Sequence, residues 1–174
     1  MTSNFISDAQ LETLSAQVGN VLLARGLMLA CAESCTGGWV AKSLTDIAGC
    51  SRWFERGFVT YSNRAKQEML AVDVALLERY GAVSEEVVQA MAEGALRHSQ
   101  ASLTLGLSGI AGPGGASEDT PVGLVWFAWM RKTKTDRLER LSRQQIFAGD
   151  REAVRRQAVA CALEGVLIIL GEQT

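Results

Sequence analysis

Apolar positions along the chain change their spacing repeatedly, and each change marks an element. Leu11, Leu14, Val18, Val21 and Leu22 recur at helical spacing behind Ser7-Asp8-Ala9-Gln10, a capping-box pattern, and Gly26 supplies a stop. Leu27 to Cys31 is then a continuous apolar run of strand length, as a strand buried on both faces requires. Helical spacing resumes from Gly37, with Val40, Ala41, Leu44 and Ile47 on one face and Gly49 at the end. Phe54 to Tyr61 favours strand. Asn63 is placed to cap a short helix carrying Lys66, and Asp73 to cap another that runs through Leu76 and Leu77 to Gly81. Ser84 opens a longer helix whose inner face holds Val87, Val88, Met91, Ala95 and Leu96.

Ser102 to Leu107 is a second buried strand, leading into a loop that carries Gly106, Gly109, Gly112, Gly114 and Gly115. Val122 to Met130 has the Val, Trp and Phe content of a central strand. The charge-rich stretch 131–136 predicts a hairpin turn, and Arg137 to Phe147 returns as an edge strand whose charges oppose pairing with other molecules. Asp150 caps a closing helix with Val154, Ala158, Ala162, Val166 and Leu170 inside, stopped at Gly171. Helices interleaved with strands, then a hairpin, predict an α/β fold: a three-layer α/β/α sandwich with a mixed sheet. At 174 residues the chain is expected to form one domain with its core over about 8–171.

Composition narrows the functional classes. The net charge of −2, from 17 basic and 19 acidic residues, argues against general nucleic-acid binding while leaving room for a local basic pocket. Cys31, Cys35, Cys50 and Cys161 form no Cys-x-x-Cys pair, and His98 is the single histidine, so no metal site is expected and the thiols read as free in a reducing, cytoplasmic setting. The polar N-terminus shows no export signal, and Val166 to Leu170 is too short an apolar run to span a membrane.

Three stretches combine small residues with reactive groups at strand ends, where open α/β sheets bind ligands. In Glu33-Ser34-Cys35-Thr36-Gly37-Gly38, Ser34 and Cys35 are both possible nucleophiles at a helix N-terminus; such a serine is otherwise a helix cap, and such a thiol is expected to have a lowered pKa. In Tyr61-Ser62-Asn63-Arg64-Ala65-Lys66, Lys66 is the natural base for a serine in a chain without a suitable histidine, provided burial depresses its pKa; the alternative is a solvated helix lysine. Tyr61 could relay a proton or pack its ring. The third stretch, Ser108-Gly109-Ile110-Ala111-Gly112-Pro113, is neither a Walker loop nor a Gly-x-Ser-x-Gly elbow, yet such a loop can present N–H groups to a phosphate or oxyanion. Arg143 and Arg151 lie near element ends, with Arg151 in the first turn of the last helix, where a cation serves an anionic ligand rather than helix stability. Candidate substrate contacts are Thr36, Gly37, Gly38, Ser51, Ser108, Gly109, Gly112 and Arg151.

Taken together, Ala32-Glu33-Ser34-Cys35-Thr36-Gly37-Gly38, Gly57-Phe58-Val59-Thr60-Tyr61-Ser62-Asn63 with Lys66, Gly81-Ala82-Val83-Ser84, Ser108-Gly109-Ile110-Ala111-Gly112-Pro113, Pro121-Val122-Gly123 and Phe147-Ala148-Gly149-Asp150-Arg151 with Val154 and Arg155 resemble the CinA C-terminal domain family, over roughly Leu11 to Leu170. Among its members the chain is most similar to those that stand alone and hydrolyse nicotinamide nucleotides. The resemblance implies an α/β/α sandwich and hydrolysis of the carboxamide of nicotinamide mononucleotide to nicotinate mononucleotide and ammonia, in pyridine-nucleotide salvage. It implies Ser34 as nucleophile with Tyr61 and Lys66 as its catalytic partners, and no metal or cofactor. A Cys35 nucleophile with Glu33 and Lys66, or a nucleotide-binding module without turnover, stays open beside it. The expected partner is the small nucleotide alone, with neither nucleic acid nor membrane, in a homo-oligomer such as a dimer. Larger members carry a further N-terminal pyrophosphatase domain, and the residues before Ser34 are too few to hold one, so that activity is not expected.

Overall fold

The computed structural model describes residues 6–172; the N-terminal stretch read above as free of an export signal lies partly outside them. Five strands form one mixed sheet in the order β2-β1-β3-β4-β5. β1 (Leu29–Glu33) is parallel to both β2 (Phe54–Val59) and β3 (Leu103–Gly109), while β4 (Leu124–Lys132) and β5 (Leu138–Ile146) continue antiparallel. Helices α1 (Asp8–Arg25), α2 (Trp39–Thr45) and α6 (Arg151–Ile169) cover one face of the sheet. Helices α3 (Asn63–Leu70), α4 (Val74–Tyr80) and α5 (Glu85–Arg97) cover the other. This is the three-layer sandwich expected from the interleaved periodicities.

The physical reasons are largely local. The Ser7 capping box starts α1, and Ser84 and Asp150 accept from backbone N–H groups to start α5 and α6. Every residue of β1 is buried, as its unbroken apolar run demands. α6 docks on the sheet through Trp129, whose Nε1 donates to the Ala162 carbonyl at 2.9 Å. A methyl group at Gly165 would come within 2.0 Å of that ring, so only glycine lets helix and indole meet.

Several boundaries differ from expectation. Leu27 closes α1 rather than opening β1: its N–H donates to the Leu22 carbonyl beyond the left-handed Gly26. Helix α2 begins at Trp39 and ends at Thr45, because residues 34–38 form a turn. Gly49 starts a short 3-10 turn, Cys50–Arg52, instead of ending α2. Ser62, not Asn63, caps α3 through its hydroxyl. Tyr61 falls just past β2, and α5 closes at Arg97 with His98 as its C-terminal cap. β3 extends through Ser108 and Gly109, which pair with Trp126 and Val125 of β4. Arg131 and Lys132 belong to β4, so the hairpin turn is shorter than its charges indicated.

The topology fixes where a ligand can enter. From β1 the chain passes through α2 to β2 on one side, and β3 arrives on the other side after α3 to α5 on the opposite face. The connections diverge at the C-terminal end of β1, leaving a crevice there.

Candidate active site

Glu33, the last residue of β1, is fully buried and organises the turn that follows. Its carboxylate accepts from the Thr36 hydroxyl (2.6 Å) and from the N–H groups of Gly38 (3.1 Å), Val40 (3.0 Å) and Ala41 (2.8 Å). The N-terminus of α2 thus carries its own anion, which complements the exposed amides and the positive end of the helix. Sequence reasoning gave Glu33 only a reserve role beside Cys35; a carboxylate just before a Ser/Thr-Gly turn was the available signal.

In that arrangement three residues expected to contact substrate have partners inside the protein. The Thr36 hydroxyl and the Gly38 N–H are taken by Glu33, and the Gly37 N–H donates to the Ser34 carbonyl at 3.0 Å. Their role in the protein is to bend the chain around the carboxylate, which the positive φ of Gly37 (60°) and Gly38 (97°) permits. The N–H groups of Cys35 and Thr36, directly after Ser34, donate to no other backbone carbonyl among the described residues.

Ser34 and Lys66 meet. Lys66 projects from α3 with only 1 % of its surface exposed, and its Nζ lies 3.0 Å from Ser34 Oγ. Nζ also donates to the carbonyls of Thr60 (2.8 Å) and Tyr61 (3.3 Å). Burial of the ammonium pushes its pKa down from 10.5 to about 8. A neutral amine has two N–H groups and one lone pair; with the two carbonyls holding the hydrogens, the lone pair faces the serine hydroxyl. The solvated-lysine alternative does not hold.

Cys35 lies in the same turn with a different character. Burial is the main cause pushing its thiol up to about 11, with the Glu33 carboxylate adding to the rise, so the lowered pKa expected at a helix N-terminus is absent. The dipole of α2 is already answered by Glu33, and desolvation governs the thiol.

A cavity of about 240 Å³ opens over Ser34 and Lys66, lined also by Tyr61, Ser108, Gly109, Gly112 and Arg151. Four separate stretches of chain therefore converge as expected. Cys35, Ala82, Val83, Ile110, Ala111 and Gly114 complete the wall; Ala82 and Val83 were assigned no role from sequence, because small apolar residues carry no chemical signal. Gly109 is required for close approach: a Cβ there would come within 2.6 Å of the Leu124 carbonyl oxygen. Arg151 spans the mouth, donating to the Gly112 carbonyl (2.8 Å) and the Tyr61 hydroxyl (2.9 Å). The Tyr61 hydroxyl is therefore held by Arg151, and its main-chain carbonyl is what meets Lys66. Tyr61 is 59 % exposed, at the rim of the cavity.

Two candidates fall elsewhere. Ser51 is exposed on the 3-10 turn that precedes β2, at the opposite end of the parallel strands from Ser34. Arg143 sits on β5 beside the Cys161 sulfur, outside the cavity. A larger cavity of about 830 Å³, at the far end of the sheet between the ends of α1, α5 and β4, contains none of the site residues. Among the described residues no group of His, Cys, Asp and Glu is placed to hold a metal ion, and no helix is long and apolar enough to cross a membrane.

An α/β sandwich with a serine and a buried lysine at the switch point of its sheet defines the class, and the sequence places it: residues 11–170 match the CinA C-terminal domain, and the chain belongs to that family. It is 57% identical over 159 residues to nicotinamide-nucleotide amidohydrolase PncC of Escherichia coli K12, covering 91% of this chain and 94% of that one. A protein of the same name from Enterobacter agglomerans is 51% identical, covering 93% of this chain and 96% of that one. Among solved structures, competence/damage inducible protein CihA of Agrobacterium tumefaciens superposes with a TM-score of 0.85 at 41% identity, over 98% of this chain and all of that one.

Proposed function

We propose that this chain is a nicotinamide-nucleotide amidohydrolase, converting nicotinamide mononucleotide and water to nicotinate mononucleotide and ammonia. The observation that carries the reading is the buried Lys66 amine directed at Ser34 by two backbone carbonyls. Relatives that share more than half of the sequence bear the name of this activity.

Ser34 Oγ attacks the carboxamide carbon as its proton passes to Lys66, and the carbonyl electron pair moves onto oxygen. The N–H groups of Cys35 and Thr36 receive that oxyanion. Collapse of the adduct breaks the C–N bond, with the Lys66 proton going to the departing nitrogen. Water then attacks the acyl-serine, giving its proton to Lys66, and the carboxylate leaves as Ser34 recovers a proton. A cavity of about 240 Å³ is smaller than the roughly 300–1,000 Å³ usual for a drug-sized ligand. The pyridine ring fits inside and the phosphate end stays at the mouth, on the exposed Arg151 and the glycine loop beside it. The activity fits a place in pyridine-nucleotide salvage.

The test is ammonia release from nicotinamide mononucleotide by the purified chain. Wild type is expected to turn over and Ser34→Ala to be inactive, while Cys35→Ala keeps most activity. Saturable binding without ammonia would identify a binding module instead. Turnover that survives Ser34→Ala but not Cys35→Ala would transfer the nucleophile to the thiol.

A further inference from the structure

Arg155 lies outside the cavity lining, yet it grips the turn that follows Ser34. From α6 its Nε donates to the Cys35 carbonyl at 3.1 Å and its Nη2 to the Thr36 carbonyl at 2.9 Å. Its guanidinium also rests over the Trp39 ring, 5.3 Å from the centroid. Among the described residues it has no carboxylate at ion-pair distance, whereas the adjacent Arg156 pairs with Asp8 and Glu152 and Lys42 with Asp46. A guanidinium is suited to the bidentate recognition of anions, and here its fork is given to two peptide carbonyls.

The consequence follows from peptide geometry. A trans peptide points its C=O and N–H in opposite directions, so drawing charge at the oxygen leaves the N–H on the other side a stronger donor. The Cys35 carbonyl shares its peptide with the Thr36 N–H. The Thr36 carbonyl shares its peptide with the Gly37 N–H, which donates to the Ser34 carbonyl at 3.0 Å. That carbonyl in turn shares its peptide with the Cys35 N–H. Both routes begin at Arg155 and end at the two amides after Ser34.

The geometry points to Arg155 as a positioning residue for the hydrolysis, orienting and polarising the Cys35 and Thr36 N–H groups as donors to the oxyanion. The inference rests on Ser34 being the nucleophile. As the Ser34 oxygen–carbon bond forms, the carbonyl pair moves onto oxygen and the serine proton goes to Lys66; Arg155 keeps its protons and touches neither substrate nor Ser34. Because the oxyanion exists only along the reaction, the effect belongs in kcat and not in KM.

Arg155→Met is expected to lower kcat by about tenfold or more and to leave KM within about threefold. Millimolar methylguanidinium is expected to restore part of the lost kcat. Arg155→Lys keeps the cation and the packing but loses the fork, and is expected to fold like wild type with an intermediate kcat. An unchanged kcat in Arg155→Met, full kcat in Arg155→Lys, or a loss confined to KM would overturn the inference. If Ser34→Ala is inactive in the same assays, that failure belongs to Arg155 alone; if Ser34→Ala turns over, the nucleophile falls and this inference with it.

Discussion

At the scale of single residues the site depends on one amine. Lys66 with a pKa of about 8 is roughly one-tenth neutral at pH 7 and half neutral at pH 8. A base must be neutral to take the Ser34 proton, so kcat/KM should rise as pH increases through about 8 and then level off. The profile of initial rates from mildly acid to alkaline pH checks this; a flat profile would remove Lys66 as base. Lys66→Met, which keeps the stem and removes the amine, should lower kcat by about 10²–10⁴-fold. At the mouth, Arg151→Ala should raise KM for nicotinamide mononucleotide by about tenfold or more, by removing a charge-assisted contact to phosphate. Its kcat should change far less, and steady-state kinetics separate the two. An unaltered KM would place the phosphate elsewhere.

At the scale of elements, the turn between β1 and α2 is held from two sides. Glu33 takes the amides of Gly38, Val40 and Ala41, while Arg155 takes the carbonyls of Cys35 and Thr36. A nucleophile on such a turn has little freedom, which is what orienting a hydroxyl for attack needs. Glu33→Gln keeps the side chain's shape but turns an NH₂ group toward donors that need an acceptor. It should destabilise the fold by about 2–4 kcal/mol, measured by urea unfolding, and lower kcat as the turn loosens. Loss of activity with unchanged stability would give Glu33 a direct chemical role that the geometry does not.

At the scale of the whole molecule, the helices and strands were legible because their signals are local. Ser7, Ser84 and Asp150 were readable as caps, the buried runs of β1 and β3 as interior strands, and the inner faces of α5 and α6 from their spacing. Ser34 and Lys66 were also readable as a candidate nucleophile and base, with Cys35 as the rival nucleophile, since residue type and motif point to such chemistry. Their contact was not, because 32 positions separate them and only the pairing of β1 with β2 brings them together. Ser51, also a candidate substrate contact, lies at the other end of the parallel strands, and which end of a strand a residue occupies is set by the path of the chain and not by residue type. The N–H groups of Gly37 and Gly38 look free for a ligand at a helix N-terminus until their acceptors inside the protein are known, whereas at Thr36 only the hydroxyl is taken. Arg155 was seen only as part of a family pattern, and the carbonyls it grips lie 119 and 120 positions away.

By itself, then, the sequence determined the layer architecture, most of the caps and the residue types of the proposed reaction, since periodicity, capping and side-chain chemistry are properties of neighbouring positions. Tertiary structure decided what each charged group does. Burial brought the Lys66 amine down to about 8 and sent the Cys35 thiol up to about 11, which suits Lys66 to the proposed role of base and disfavours a thiolate at Cys35. Folding also turned Glu33 and Arg155 onto the backbone and left Arg151 at the open mouth. Desolvation and hydrogen bonding act through space between distant segments, and no local pattern encodes them.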